Sequence, residues 1–149
     1  MRSFIPLIPI WLLVAGSGAF ADSLRVSAAW TRAMPPGLPV AAYVSLRNDG
    51  DAAQRVIAAR STRAGRVEIH ESVKSNNRWR MRQLETLVIP AGERVDMGPG
   101  AVHMMLFELA DPLREGDSLE LELVLESGAT LPVSVEVRSP GGQASHHHH

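Results

Sequence analysis

The sequence predicts an all-β domain, either an antiparallel sandwich or a Greek-key barrel. Short segments rich in Val, Leu and Ile recur along the chain, and clusters of Gly, Pro, Asn and Asp separate them. Many short strands at this spacing are typical of such folds. No window carries the long apolar stripe of period 3.6 that marks an amphipathic helix. The 149 residues suffice for one domain with its own hydrophobic core.

The order of the strands follows from the turns between them. Residues 34–39, Met-Pro-Pro-Gly-Leu-Pro, form a stiff loop because proline fixes φ and lacks a backbone donor. Residues 48–51, Asn-Asp-Gly-Asp, form a strong turn between two strands. Further turns are expected at residues 76–77, 90–92, 98–100, 114–117 and 127–128. The predicted strands are residues 24–30, 40–47, 53–59, 66–71, 79–84, 86–89, 94–97, 102–109, 118–126 and 130–138.

Alternating residues assign the two faces of several strands. In residues 118–126 four leucines share one face and Glu120, Glu122 and Glu126 the other, which predicts a half-buried strand with a solvated acidic face. In residues 78–82 three arginines alternate with Trp79 and Met81. We interpret the arginines as a solvated face, and the alternative is a docking patch for an acidic partner.

The N-terminal residues predict a secretory signal peptide. Arg2 precedes an apolar run at residues 4–14, and Ala19-Phe20-Ala21 forms a cleavage site, so residues 1–21 would be removed. An uncleaved N-terminal anchor is the alternative interpretation. No later apolar segment is long enough to span a bilayer, so we expect no membrane insertion of the mature chain.

Composition excludes several classes of function. A formal net charge of −1 argues against nucleic acid as the main partner. The absence of cysteine excludes disulfides, a lipidated cysteine and a thiolate metal ligand. One folded domain is expected over residues 22–140. Residues 141–149 form a flexible tail, and His146–His149 are interpreted as a partial purification tag or, alternatively, as a native metal-capturing tail.

Two histidines and two methionines form the candidate metal site: His70, Met81, His103 and Met105. Ten, twenty-one and one residues separate them along the chain. A thioether is a soft, neutral donor that favours Cu(I), whereas zinc and calcium sites usually recruit thiolates or carboxylates. Two thioethers and two neutral imidazoles would therefore suit a soft monovalent ion.

Strand parity supports part of this set. His103 and Met105 are two residues apart, so on a strand both side chains leave the same face, near the turn at residues 98–100. His70 ends the run 66–70 on the face that points away from the core. Taken alone, Met81 reads as a packing residue and His103 as a hydrogen-bonded histidine. We expect the pair on residues 102–109 to lie at an accessible rim.

The sequence lacks the residues that other metal sites and common catalytic sites require. His70-Glu71 is not followed by the second histidine of a zinc protease, since position 74 is Lys. A blue-copper site needs a Cys thiolate, and no nucleophile motif or carboxylate pair stands out. We therefore predict that the protein is not an enzyme. Two alternatives remain, a metal-free β-sandwich interaction module and a copper-dependent redox protein.

The spacing and the surrounding residues resemble those of the periplasmic copper chaperones of the PCu(A)C family. That family's signature is His, ten residues, Met, twenty-one residues and His-x-Met, and His70, Met81, His103 and Met105 occupy all four positions. The other similar segments are residues 28–32 (AAWTR), 34–37 (MPPG), 41–43 (AAY), 67–71 (VEIHE), 89–92 (IPAG) and 112–117 (PLREGD).

The resemblance implies a cupredoxin-like β-barrel in the periplasm that binds one Cu(I) per domain. It also implies delivery of copper by ligand exchange to the CuA or CuB centre of cytochrome c oxidase, often alongside a Sco-type protein. Some relatives carry a C-terminal extension rich in His and Met that binds copper. Here that extension is short or absent, and Cu(II) capture would rest on His146–His149.

Overall fold

Ten β-strands and no α-helix make up residues 23–141, the part of the chain that the computed structural model describes. The all-β prediction is confirmed. The strands are β1 (Leu24–Arg32), β2 (Val40–Asn48), β3 (Gln54–Arg60), β4 (Ala64–Ser75), β5 (Arg78–Leu84), β6 (Leu87–Ile89), β7 (Arg94–Asp96), β8 (Val102–Leu109), β9 (Ser118–Leu125) and β10 (Thr130–Arg138).

Seven of the strands close into a barrel. Neighbouring strands run in the order β4, β8, β2, β1, β10, β9, β3, and the pairing of Ala59 in β3 with Val67 in β4 completes the ring. Among the strands of residues 23–141, only β1 and β10 pair in parallel. The other three strands extend the sheet outward, β5 from β4, β6 from β3 and β7 from β2. Closure removes most of the free sheet edges.

The core fills the barrel with alternating side chains. In β9, Leu119, Leu121, Leu123 and Leu125 are all buried, which confirms the assignment of its faces. Each fully buried Leu or Val contributes about 1.5–3 kcal/mol to the free energy of unfolding. Met104 of β8 is fully buried, as strand parity predicts for the residue between His103 and Met105.

Asn48 holds the turn that follows β2. Its side chain is completely buried, and its Nδ2 donates hydrogen bonds to the carbonyl oxygens of Ala52 at 2.8 Å and Ile89 at 3.0 Å. Its Oδ1 accepts a hydrogen bond from the backbone N–H of Gly50 at 3.0 Å. The predicted turn at residues 48–51 is therefore fixed by a buried amide whose polar atoms are paired.

The main departure from the predicted strands is at β4. It begins at Ala64 and ends at Ser75, whereas the apolar pattern predicted residues 66–71. The extra residues 72–75 pair with β5 around a turn at Asn76 and Asn77, whose φ angles are 51° and 60°. Two residues of positive φ make the tight hairpin turn that matches strand twist. We call residues 72–81 the β4–β5 arm.

The predicted signal peptide and the histidine tail lie outside the described residues. No helix within residues 23–141 has the length and hydropathy needed to cross a membrane. Met34, in the Pro-rich loop, pairs with Leu113 through two backbone hydrogen bonds and packs against the core. This pairing ties the Pro-rich loop to the loop that precedes β9.

Candidate metal centre

His70 and His103 face each other across two neighbouring strands. They are directly paired in the antiparallel register of β4 and β8, and residues so paired leave the same face of a sheet. Their ring centroids lie 5.9 Å apart with an angle of 62° between the ring planes. The structure thus brings together two residues that are far apart in the sequence.

The two methionines lie on the same face as the histidines. Met81 in β5 pairs with Ser72, two residues after His70, and Met105 pairs with Glu68, two residues before it. Each methionine is therefore a diagonal cross-strand neighbour of His70, a separation that long side chains can bridge. All four predicted site residues share one face of a three-stranded section of sheet, β5, β4 and β8.

Exposure differs sharply among these side chains. His103 is only 4% exposed, and the side chain of His70 is 15% exposed, whereas Met81 is 61% exposed. The expectation of an accessible rim at His103 is wrong, because its ring lies against the ring of His70 and donates a hydrogen bond to the carbonyl of Ala101. The interpretation of Met81 as a packing residue is also wrong. The accessible side of the candidate site is the arm.

A carboxylate orients His70. Nε2 of His70 lies 2.8 Å from Oε2 of Glu68, and since a carboxylate only accepts hydrogen bonds, Nε2–H is the donor. Nδ1 of His70 is then the unprotonated nitrogen of the neutral ring. This atom is buried and forms no hydrogen bond within residues 23–141. A buried polar atom without a partner calls for an explanation, and a bound metal ion would supply one.

Glu68 is itself held in place. Its Oε1 lies 2.9 Å from Nε of Arg66, and the Arg66 guanidinium stacks 4.4 Å from the ring centroid of Phe107. Phe107 in turn lies 6.2 Å from the His70 ring. Such partners behind a ligating histidine fix its tautomer and ring orientation.

A backbone carbonyl orients His103. Its Nδ1 donates a hydrogen bond to the carbonyl oxygen of Ala101 at 3.1 Å, which leaves the lone pair on Nε2. The same carbonyl accepts the backbone N–H of Ser72 at 3.2 Å and so joins β4 to the loop before β8. Each neutral imidazole then offers one nitrogen lone pair, Nδ1 of His70 and Nε2 of His103.

The donor chemistry excludes a carboxylate-rich metal site. Within residues 23–141 no three His, Cys, Asp or Glu side chains cluster so that they could hold a metal ion. Glu68, the nearest carboxylate to the histidines, is occupied by His70 and Arg66. The residues present fit a soft ion held by two nitrogens and two thioether sulfurs.

An aromatic pair lies beside the site. Ala41 in β2 pairs with Met105, and Tyr43 leaves the same face two residues later. The Tyr43 ring packs on Trp30 with ring centroids 4.5 Å apart. Burial raises the pKa of Tyr43, and the positive charge of Arg32 opposes that effect. Tyr43 is therefore a neutral phenol at physiological pH.

Sequence reasoning missed Glu68, Arg66 and Tyr43 as neighbours of the site. A signal for two of them was present, because Arg66, Glu68 and His70 alternate along one strand and so share a face. Their contacts depend on rotamers and on the position of Phe107, which the pattern does not specify. Tyr43 comes from a strand distant in the sequence and could be placed only by the register of β2 and β8.

Comparison with known proteins identifies the family. The profile of the family described as "Putative lipoprotein LpqE-like" matches residues 24–137. The chain belongs to the LpqE-like family. A relative from Leifsonia xyli subsp. xyli (strain CTCB07), "Putative lipoprotein Lxx21020", is 34% identical over 126 residues that cover 84% of this chain and 75% of the relative. The sequence of this LpqE-like chain contains no cysteine.

Solved structures share the fold of this LpqE-like protein. The solution structure of CuI-DR1885 from Deinococcus radiodurans superposes on this chain with a TM-score of 0.64 and 28% sequence identity. The alignment covers 85% of this chain and 87% of CuI-DR1885. The copper-bound PCuAC domain from PmoF2 superposes with a TM-score of 0.66 and 23% sequence identity. That alignment covers 79% of this chain and 94% of the PmoF2 domain. The barrel is thus that of PCuAC domains, and the cupredoxin-like all-β fold class is confirmed.

Proposed function

We propose that this protein is a copper chaperone that binds one Cu(I) through His70, Met81, His103 and Met105. The observation that carries the proposal is the convergence of these side chains on one face, with the unpartnered Nδ1 of His70 among them. The similarity to CuI-DR1885 supports copper as the cargo.

The chemistry of the donors suits transport rather than catalysis. Thioethers bind Cu(I) more weakly than thiolates do, carry no charge and are not protonated. A site with neutral donors can hold the ion and still release it to a stronger ligand. We therefore propose no enzymatic role, and the alternatives of a metal-free module and a redox protein become outcomes of the test below.

The destination and compartment follow from the family resemblance. We propose that the chain works in the periplasm, exported by residues 1–21, and delivers copper to the CuA or CuB centre of cytochrome c oxidase, alone or with a Sco-type protein. The near-neutral charge argues against nucleic acid as a main partner. If residues 146–149 are native, we propose them as a Cu(II) site.

The decisive experiment is an anaerobic Cu(I) titration of protein that lacks residues 142–149, followed by X-ray absorption spectroscopy. We expect one copper per chain with two sulfur and two nitrogen neighbours. Met81→Leu and Met105→Leu should each remove one sulfur neighbour, while the matched control Met34→Leu should remove none. No bound copper, or a shell of nitrogen alone, would overturn the assignment. Reversible redox colour would favour the redox protein instead.

A further inference from the structure

We propose that the β4–β5 arm is a docking edge to which an acidic, extended segment of a partner protein adds as a strand. The inference rests on the proposed function, because the partner would be the protein that exchanges Cu(I) at Met81. The charge, the exposed apolar side chains and the free backbone of the arm each support it.

The arm concentrates unpaired positive charge. Residues 72–81 contain Lys74, Arg78 and Arg80 and no acidic residue, in a chain whose net charge is −1. Within the described residues the side chains of Arg78 and Arg80 form no ion pair and no hydrogen bond. Ion pairs do form at eight other arginines, Arg25, Arg47, Arg55, Arg60, Arg66, Arg82, Arg94 and Arg138. The free cations of the arm thus match a negatively charged partner.

The arm also exposes large apolar side chains. Trp79 is 64% exposed and Met81 is 61% exposed, the two highest values among the large hydrophobic residues in 23–141. Both lie on the face that carries His70, and Lys74 sits 6.0 Å from the Trp79 ring centroid. Tryptophan and arginine are the residues that most often dominate binding energy at protein interfaces.

The backbone of β5 is open on its outer side. β5 ends the strand order of the described sheet and pairs only with β4, so its outer N–H and C=O groups can accept another strand. Charges on an edge strand also discourage pairing with a second copy of the same strand. They would instead select a partner strand of opposite charge.

The geometry favours a strand over a lipid surface. Trp79 pairs with Lys74 on the face of the site, whereas Arg80 pairs with Val73 on the opposite face. A flat membrane can contact one face of a two-stranded ribbon but not both at once. An added strand lies in the plane of the ribbon and reaches both faces, with carboxylates toward Arg78 and Arg80 and apolar residues toward Trp79.

Docking there would place a partner's metal donor beside Met81. In the exchange step the bond from copper to the Met81 sulfur breaks as a bond to the partner's donor forms. Copper stays Cu(I), and no electron or proton is needed. The other three donors hold the ion until the partner replaces them in turn.

In the test, a synthetic peptide of alternating Glu and Val is added to the metal-free protein. Binding is measured from changes in the backbone NMR chemical shifts of the protein. Shifts should concentrate in residues 72–84. Arg80→Glu should weaken binding by at least about tenfold, and Trp79→Ala by about tenfold. Arg114→Glu is the matched control, because Arg114 is also exposed and without an ion pair, and it should leave binding unchanged.

Three further probes make the proposal refutable. A peptide of alternating Lys and Val should not bind, and a central proline in the acidic peptide should abolish binding because proline cannot donate to a strand ladder. Equal binding of either control peptide, or an equal loss in Arg114→Glu, would overturn the proposal. So would tighter binding to phosphatidylglycerol vesicles than to the acidic peptide. Because copper is absent, these outcomes are independent of the Cu(I) titration.

Discussion

Glu68 should control copper affinity without controlling the fold. Its carboxylate accepts the Nε2–H of His70 at 2.8 Å and pairs with Arg66 at 2.9 Å. Loss of a carboxylate behind a ligating histidine typically lowers metal affinity by about 10–100-fold, which is about 1.4–2.7 kcal/mol of binding free energy. We therefore expect Glu68→Ala to lower Cu(I) affinity within that range.

The cost to stability comes mainly from His70. The side chains of His70 and Glu68 are 15% and 19% exposed, and a largely buried donor left without its acceptor costs about 1–3 kcal/mol. The Arg66 side chain is 54% exposed, so loss of its ion pair adds only about 0–1 kcal/mol. The free energy of unfolding of metal-free Glu68→Ala should therefore fall by about 1–3 kcal/mol. Glu68→Gln keeps an amide oxygen that can accept from Nε2–H, so its loss of copper affinity should be the smaller of the two.

The assay is competition for Cu(I) against a chelator of known affinity, under anaerobic conditions. In parallel, ¹⁵N NMR of metal-free protein reports which His70 nitrogen carries the proton. The parent should show Nε2–H, and Glu68→Ala should show a mixture of tautomers. Glu71→Ala is the control, because Glu71 leaves the opposite face of β4 and pairs with Arg82. If Glu68→Ala bound Cu(I) as tightly as the parent, the argument from orientation would be refuted.

Three other outcomes can be measured directly. Met81→Ala should weaken Cu(I) binding but change the unfolding free energy by less than about 0.5 kcal/mol, since the side chain is exposed; a large loss of stability by chemical denaturation would contradict this. Asn48→Ala should destabilise the barrel by about 2–4 kcal/mol, because the buried Asn48 side chain loses three hydrogen bonds, one of them fully buried; an unchanged denaturation midpoint would show that the turn does not depend on them. Hydrogen bonds from Ser45 and Arg94 hold the pKa of Asp96 below 3.8, so its contribution to stability is complete above that value and is lost as pH falls through the lowered pKa. Asp96→Asn should remove this part of the acid sensitivity, and an identical acid-unfolding curve for the variant and parent would disprove it.

The strands of the barrel were predictable because their side chains alternate. In β9 and β2 one face is buried and the other is partly or fully exposed, and that contrast is visible in the sequence. The end of β4 was not predictable in the same way. Residues 72–75 leave the barrel and have no core to face, so no apolar alternation marks them, and only the hairpin turn at Asn76 and Asn77 places them in a strand.

The shared face of the candidate site was partly predictable. The two-residue separation of His103 and Met105 predicts one face, and the structure confirms it. The pairing of His70 with His103 depends on the register of two strands with thirty-two residues between these positions, which local pattern does not determine. Burial of His103 accompanies its contacts with the His70 ring and the Ala101 carbonyl, and the first of these depends on the same register. Coordination by all four residues stays a prediction.

The two histidines are oriented by different kinds of partner. His103 depends on the carbonyl of Ala101, which every amino acid at that position would supply. His70 depends on a side chain, Glu68, which a single codon change can replace. Over evolutionary time one half of the site is thus robust to substitution, while the other half can be adjusted. Substitution at position 68 alone could raise or lower the copper affinity of proteins that descend from this one. Such a change would alter neither a loop nor a ligand.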